Sequence, residues 1–143
     1  MIGSCETVRN SFLLDSNVLI WVLRGHPAVT ELLHRLEDLE VGLKPATSVI
    51  SVFEVLAGVL PGEEERTADL LTNTVIPVDV TPEVAMGAAE IVARQGRAGR
   101  ALSVADALIA GTALTENRTL VTYDLSHFEG LGLTLYLDLP ELE

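Results

Sequence analysis

Four acidic residues stand where carboxylates could do chemistry. Asp15 directly follows the apolar run Phe12-Leu13-Leu14, and Asp124 follows Leu120-Val121-Thr122. Glu54 lies in Val49 to Leu60, where Ser51 is the only other polar side chain, and Asp106 lies in the similarly apolar Ser103 to Ala110. A carboxylate among apolar groups costs several kcal/mol unless a cation or hydrogen bonds compensate it or it takes up a proton. No Lys or Arg lies within a helical turn of Glu54, so its partner must come from elsewhere. Oxygen donors without Cys or His suit Mg²⁺ or Mn²⁺, hard ions that keep several waters and bind phosphate oxygens. Such an ion lowers the pKa of bound water and neutralises a leaving oxygen, which is the chemistry of phosphodiester hydrolysis.

Each acid also has an ordinary explanation. Asp15 can cap a helix starting near Asn17, and Asp124 can close a turn through its own backbone. Ser51 with Glu54 matches a capping box, although Ser48 suggests that this helix begins earlier. Ser103 can cap its helix while Asp106 complements the dipole from the first turn. Convergence favours one site: two acids sit at strand ends and two early in helices that the same fold would bring to that edge.

The elements that must position them follow from hydrophobic period. Phe12 to Leu14 reads as a buried strand, followed by helical pattern from Asn17 to Leu23 and from Pro27 to about Glu40, where Val29, Leu32, Leu33, Leu36 and Leu39 recur. Further strands are expected over Leu43 to Thr47, Val75 to Val80, Leu120 to Thr122 and Leu133 to Leu137. Val49 to Gly58 reads as a buried helix and Glu63 to Asn73 as a polar-faced one. Thr81 and Pro82 open another helix, Gly96 and Gly99 break it, and Ser103 to Glu116 forms the next. Strands alternating with helices imply βαβ units and a mostly parallel sheet of about five strands, whose sites form outside the carboxyl ends. The fold class is α/β, a helix–sheet–helix sandwich. Residues 1–10 read as a flexible leader and 11–143 as a single domain.

Composition sets bounds. The 143 residues suffice for one core, and no stretch reaches the ~18 uncharged apolar residues that a spanning helix needs. No signal-peptide pattern is seen, so a cytosolic, non-membrane protein is expected. Cys5 is the sole cysteine, which excludes an internal disulfide and argues against thiolate metal binding. A formal net charge of −12 opposes broad electrostatic capture of nucleic acid, but ions held by clustered carboxylates reverse the local charge where a phosphate docks.

Four segments, in order, resemble the PIN-domain nucleases and in particular the VapC-type toxins of bacterial toxin–antitoxin pairs. They are Leu13 to Ile20 (LLDSNVLI), Ser51 to Gly58 (SVFEVLAG), Ala105 to Ala110 (ADALIA), and Leu120 to Asp124 (LVTYD) with Phe128. The resemblance implies a parallel sheet of order 3-2-1-4-5 between helices, Mg²⁺- or Mn²⁺-dependent RNA cleavage, a homodimer, and a cognate antitoxin partner. It matches Asp15, Glu54 and Asp106 to the core metal-binding acids and Asp124 to a fourth. Ser16, Asn17 and Thr122 match polar positions that orient the cluster. Many relatives carry Asp immediately before the closing Phe; this chain carries His127 there, leaving the fourth acidic role to Asp124.

Arg94, Arg97 and Arg100 form the densest positive cluster and lead towards Asp106, so they are candidates to hold RNA phosphates, or else a solvated loop. His26, His34 and His127 lack metal-ligand spacing among themselves and read as surface or satisfied core residues. Trp21 reads as core or dimer contact, since no aromatic cluster accompanies it. Besides a ribonuclease, the residues leave open a non-catalytic PIN-like module binding RNA or protein. A phosphotransfer enzyme would need a Lys or Thr near the acids, and the only lysine, Lys44, has no such setting.

Overall fold

The computed structural model describes residues 11–142; the leader expected over 1–10 lies outside them. Four short parallel strands, β1 (Phe12–Leu14), β2 (Ala46–Ser48), β3 (Ile76–Val78) and β4 (Thr119–Val121), form one sheet of order β3-β2-β1-β4. Among the described residues there are seven α-helices, α1 (Ser16–Leu23), α2 (Pro27–Leu39), α3 (Val49–Ala57), α4 (Glu64–Asp69), α5 (Pro82–Arg97) and α6 (Val104–Thr115) between the strands and α7 (Leu125–Phe128) after the last. α4 runs on into a π-helical turn, Leu70–Thr74.

Side-chain alternation along β1 builds two cores. Phe12 and Leu14 point into one with Val18, Leu19, Val29, Leu32, Leu36 and Val121. Leu13 points into the other with Ile91, Ile109, Ala110, Leu120 and Phe128. The central strands β1 and β2 are thus buried on both faces, as expected inside a parallel sheet, while β3 at the edge stays largely exposed. α5 and α6 pack very closely: a Cβ added at Gly111 would lie 2.8 Å from the Val84 carbonyl oxygen and 3.1 Å from the Ala88 nitrogen.

Three expectations are corrected. Leu133 to Leu137 does not form a fifth strand; Leu135 makes one parallel bridge to Leu120, where Leu120 N donates to Thr134 O and Tyr136 N to Leu120 O, both at 2.9 Å. Leu133 and Leu135 already pack against one core and Tyr136 and Leu139 against the other, so this segment satisfies its apolar groups with a single bridging pair of bonds. α3 is apolar but not buried, with Phe53 69% and Leu56 53% exposed. At the end of α2, Leu39 is exposed and Glu40 takes the inward position four residues beyond Leu36. There Glu40 lies 3.6 Å from Arg118. Burial raises its carboxyl to about 7, against the opposing pull of Arg118 and the Phe12 backbone. No helix among the described residues is long and apolar enough to cross a membrane.

Candidate active site

The carboxyl ends of β1 and β4 lie side by side, in register Leu14↔Val121, so the residues that follow each strand meet. Asp15 N donates to Val121 O at 2.9 Å, which fixes the aspartate to the neighbouring strand before its side chain does anything. That side chain serves two ends. Its Oδ1 accepts from Ser16 N at 2.8 Å and caps α1, the ordinary role expected of it, while Oδ2 accepts from Thr122 Oγ1 at 2.7 Å.

Thr122, fully buried, organises the rest. Its hydroxyl also accepts from Asp124 N at 3.0 Å. Asn17 Nδ2 reaches Asp124 Oδ2 at 3.1 Å and Thr122 Oγ1 at 3.2 Å, with Asp15 Oδ2 at 3.4 Å. Asn17 Oδ1 in turn accepts from Tyr123 N at 3.1 Å, which orients the amide. Ser16 Oγ donates to Glu54 Oε1 at 2.9 Å and draws α3 to the same edge. Ser48 ends β2 and caps α3 through Ile50 N, so the helix does begin upstream of Ser51 and the capping-box reading of Glu54 does not hold.

Asp106 enters from the other side of the sheet. Ser103 caps α6 by accepting from Asp106 N at 3.0 Å, so that the cap uses the Asp106 backbone and not its carboxylate. Burial raises the Asp15 carboxyl to about 6, and the negative charges of Glu54 and Asp106 push the same way; the Thr122 and Ser16 hydrogen bonds oppose them. Glu54 is tied to this edge through Ser16, the residue next to Asp15. Asp124 joins through Asn17 and is the most exposed of the four.

The donor chemistry fits a divalent ion that keeps most of its water. Among the described residues no three His, Cys, Asp or Glu side chains are drawn close enough to enclose a bare ion. A hydrated Mg²⁺-type ion needs only one or two carboxylates and takes its other ligands from water and phosphate. A cation beside Asp15 would also offset the burial and repulsion that hold its carboxyl near 6.

Two features were not anticipated. His127 Nδ1 lies 3.2 Å from Asp106 Oδ2; the only sequence signal was the substitution before Phe128. Arg100, grouped above with Arg94 and Arg97 as a phosphate contact, is engaged elsewhere: its guanidinium donates to the carbonyls of His127 (2.6 Å), Glu129 (2.7 Å) and Ser126 (2.9 Å), clasping the end of α7. A long basic side chain can satisfy the unpaired carbonyls of a helix end in this way. Arg94 and Arg97 lie exposed on the last turn of α5 around a shallow depression with Glu90. Trp21 packs at the edge of the first core with its ring against His26, centroids 5.5 Å apart, and His34 is exposed.

A central parallel sheet with acids gathered at its carboxyl edge defines a class that the comparisons identify. The PIN-domain model matches residues 12–130, and the chain belongs to the PIN-domain family. It is 32% identical to ribonuclease VapC19 of Mycobacterium tuberculosis, over 81% of this chain and 90% of that protein. It is also 32% identical to the plasmid stability protein StbB of Pseudomonas syringae pv. tomato, over 86% and 94% of the two chains. In fold it resembles VapBC2 from Rickettsia felis, solved bound to a promoter DNA fragment, with TM-score 0.77 and 24% identity over 87% and 96% of the chains. DNA-bound VapBC from Salmonella typhimurium gives a TM-score of 0.74 at 23% identity over 88% and 96%.

Proposed function

We propose that this chain is a Mg²⁺- or Mn²⁺-dependent endoribonuclease, the toxin of a bacterial toxin–antitoxin pair. The observation that carries the reading is the continuous hydrogen-bonded network Asp124–Asn17–Thr122–Asp15, joined through Ser16 to Glu54 and electrostatically to Asp106. It orients several acids at one edge of the sheet. Caps and turns alone do not require this, since Asp15 would cap α1 without Thr122 and Glu54 caps nothing.

In this reading Asp15, Glu54, Asp106 and Asp124 line the site, one or two of them binding the ion directly and the others through its waters; the ion would supply charge neutralisation at the phosphate and acidify a water for attack. Asp15 is the fixed point because its backbone is bonded into the sheet. Thr122 and Asn17 keep its carboxylate and that of Asp124 turned inward. Arg94 and Arg97 remain candidates to steer RNA phosphates towards an otherwise acidic surface. The ribonuclease relative supports the substrate class, and the toxin–antitoxin complexes among the fold neighbours support an antitoxin partner. A homodimer acting in the cytoplasm belongs to the same reading.

The test is cleavage of a mixed RNA substrate by purified protein with Mg²⁺, with Mn²⁺ and with EDTA, using Asp106→Asn and Asp15→Asn, the latter keeping a residue able to cap α1. Metal-dependent cleavage that both variants lose while melting as the parent does is the expected result. Cleavage retained in EDTA or in both variants would refute it. RNA binding without cleavage by the parent would instead favour a non-catalytic module.

A further inference from the structure

We propose that His127 is a metal ligand, partnered with Asp106, so that one ion of this site is held by a mixed nitrogen–oxygen pair. The inference rests on the metal-dependent reading above and adds a donor to it. The two atoms concerned, His127 Nδ1 and Asp106 Oδ2, stand 3.2 Å apart. Donors about 2.1 Å from an octahedral ion and at right angles to each other stand about 3 Å apart, so the pair already has the spacing of neighbouring positions on one ion.

The surroundings fix where the imidazole sits. α7 has its C-terminal carbonyls clasped by Arg100, and the next residue, Phe128, is fully buried in the second core. His127 is therefore delivered by a short element fixed at its end, while its own side chain stays 55% exposed. A cavity of about 340 Å³ lined by Arg100, Ser103, Asp106, Ser126 and His127 opens onto the pair. It has room for an ion with several waters and an incoming phosphate.

The chemical consequence is selectivity. Carboxylate and water suit Mg²⁺, whereas an imidazole donor favours ions later in the transition series, Mn²⁺ being the first of them. The histidine should tilt the site towards Mn²⁺, and His127→Asp should return it to an all-oxygen preference.

The test uses the full-length chain loaded with Mn²⁺. Pulsed EPR reads nitrogen coupling to the ion, and calorimetry compares Mn²⁺ with Mg²⁺ for the parent, His127→Ala and His127→Asp. Expected are a ¹⁴N imidazole signature in the parent that both variants lose, and a Mn²⁺-over-Mg²⁺ preference about tenfold greater in the parent than in His127→Asp. The exposure of His127 makes both variants tolerable to the fold, checked by circular dichroism. Mn²⁺ bound through oxygen alone, with unchanged affinity in His127→Ala, would overturn this proposal and leave the ribonuclease reading standing. Binding of neither ion by the parent would remove both.

Discussion

Glu40→Gln isolates a buried charge that sits far from the acidic edge. In the folded protein the Glu40 carboxyl titrates at about 7 rather than 4.5, so between those values the native state holds a proton that the unfolded chain has released. Stability contributed by this group is therefore intact below pH 4.5 and falls as the pH rises to about 7, after which the loss is complete. Each pKa unit corresponds to about 1.4 kcal/mol, which sets a ceiling near ~3 kcal/mol. The Arg118 guanidinium at 3.6 Å is already counted in that value, since without it the carboxyl would titrate higher still. Among the described residues Oε1 has no hydrogen-bond partner, so the amide of Gln loses little that the carboxyl possessed. Urea unfolding of parent and variant at pH 5 and pH 8 gives two differences in stability, and the parent should lose about 1–3 kcal/mol relative to Glu40→Gln between them. Parallel profiles, or a parent that gains on the variant as the pH rises, would refute the burial argument.

Thr122→Val keeps the shape of the side chain but removes the hydroxyl shared by Asp15 and Asp124; RNA cleavage should fall roughly 10- to 100-fold and stability by about 2 kcal/mol, read by single-turnover assays and urea melts. Because the Asp15 carboxyl is raised to about 6, divalent ions must compete with a proton below that pH. Calorimetric affinity for Mn²⁺ should therefore be weaker at pH 5.5 than at pH 7.5, with proton release on binding near pH 6. Gly111→Ala drives a methyl group into the Val84 carbonyl and should cost roughly 1–3 kcal/mol by thermal or chemical denaturation. Arg100→Met frees three carbonyls at the end of α7, so amide exchange over residues 125–129 should accelerate while the central strands stay protected.

Much of this arrangement is legible in the sequence, for identifiable reasons. Strand ends followed by Asp survive translation into structure because the parallel sheet fixes where they meet, so Asp15, Thr122 and Asp124 converge as their positions after β1 and β4 require. Glu54 and Asp106 were legible because a polar residue stands out in an apolar helix. The inference that α3 was therefore buried failed: composition records what a helix is made of, not which face is covered, and Phe53 and Leu56 face outward. Leu39, placed in the apolar row, gives way to Glu40 for the opposite reason. The spacing of Glu40 from Leu36 placed it inward, but the residue type argued for Leu39 instead, and only the Arg118 side chain, 78 positions away, resolves the choice. Contacts made through long side chains to backbone, such as Arg100 on α7, leave no periodic trace at all. The edge segment after Gly132 alternates like a strand, yet its side chains find both cores with a single bridge.

The docking of β4 beside β1 carries a temporal consequence. Asp15 is made early and Thr122, which holds its carboxylate, 107 positions later. A ribosome that has completed α6 has produced Asp15, Glu54 and Asp106, yet not the strand against which Asp15 is pinned. The acidic edge can therefore be assembled only after β4 and Thr122 have been made, long after the first of its carboxylates.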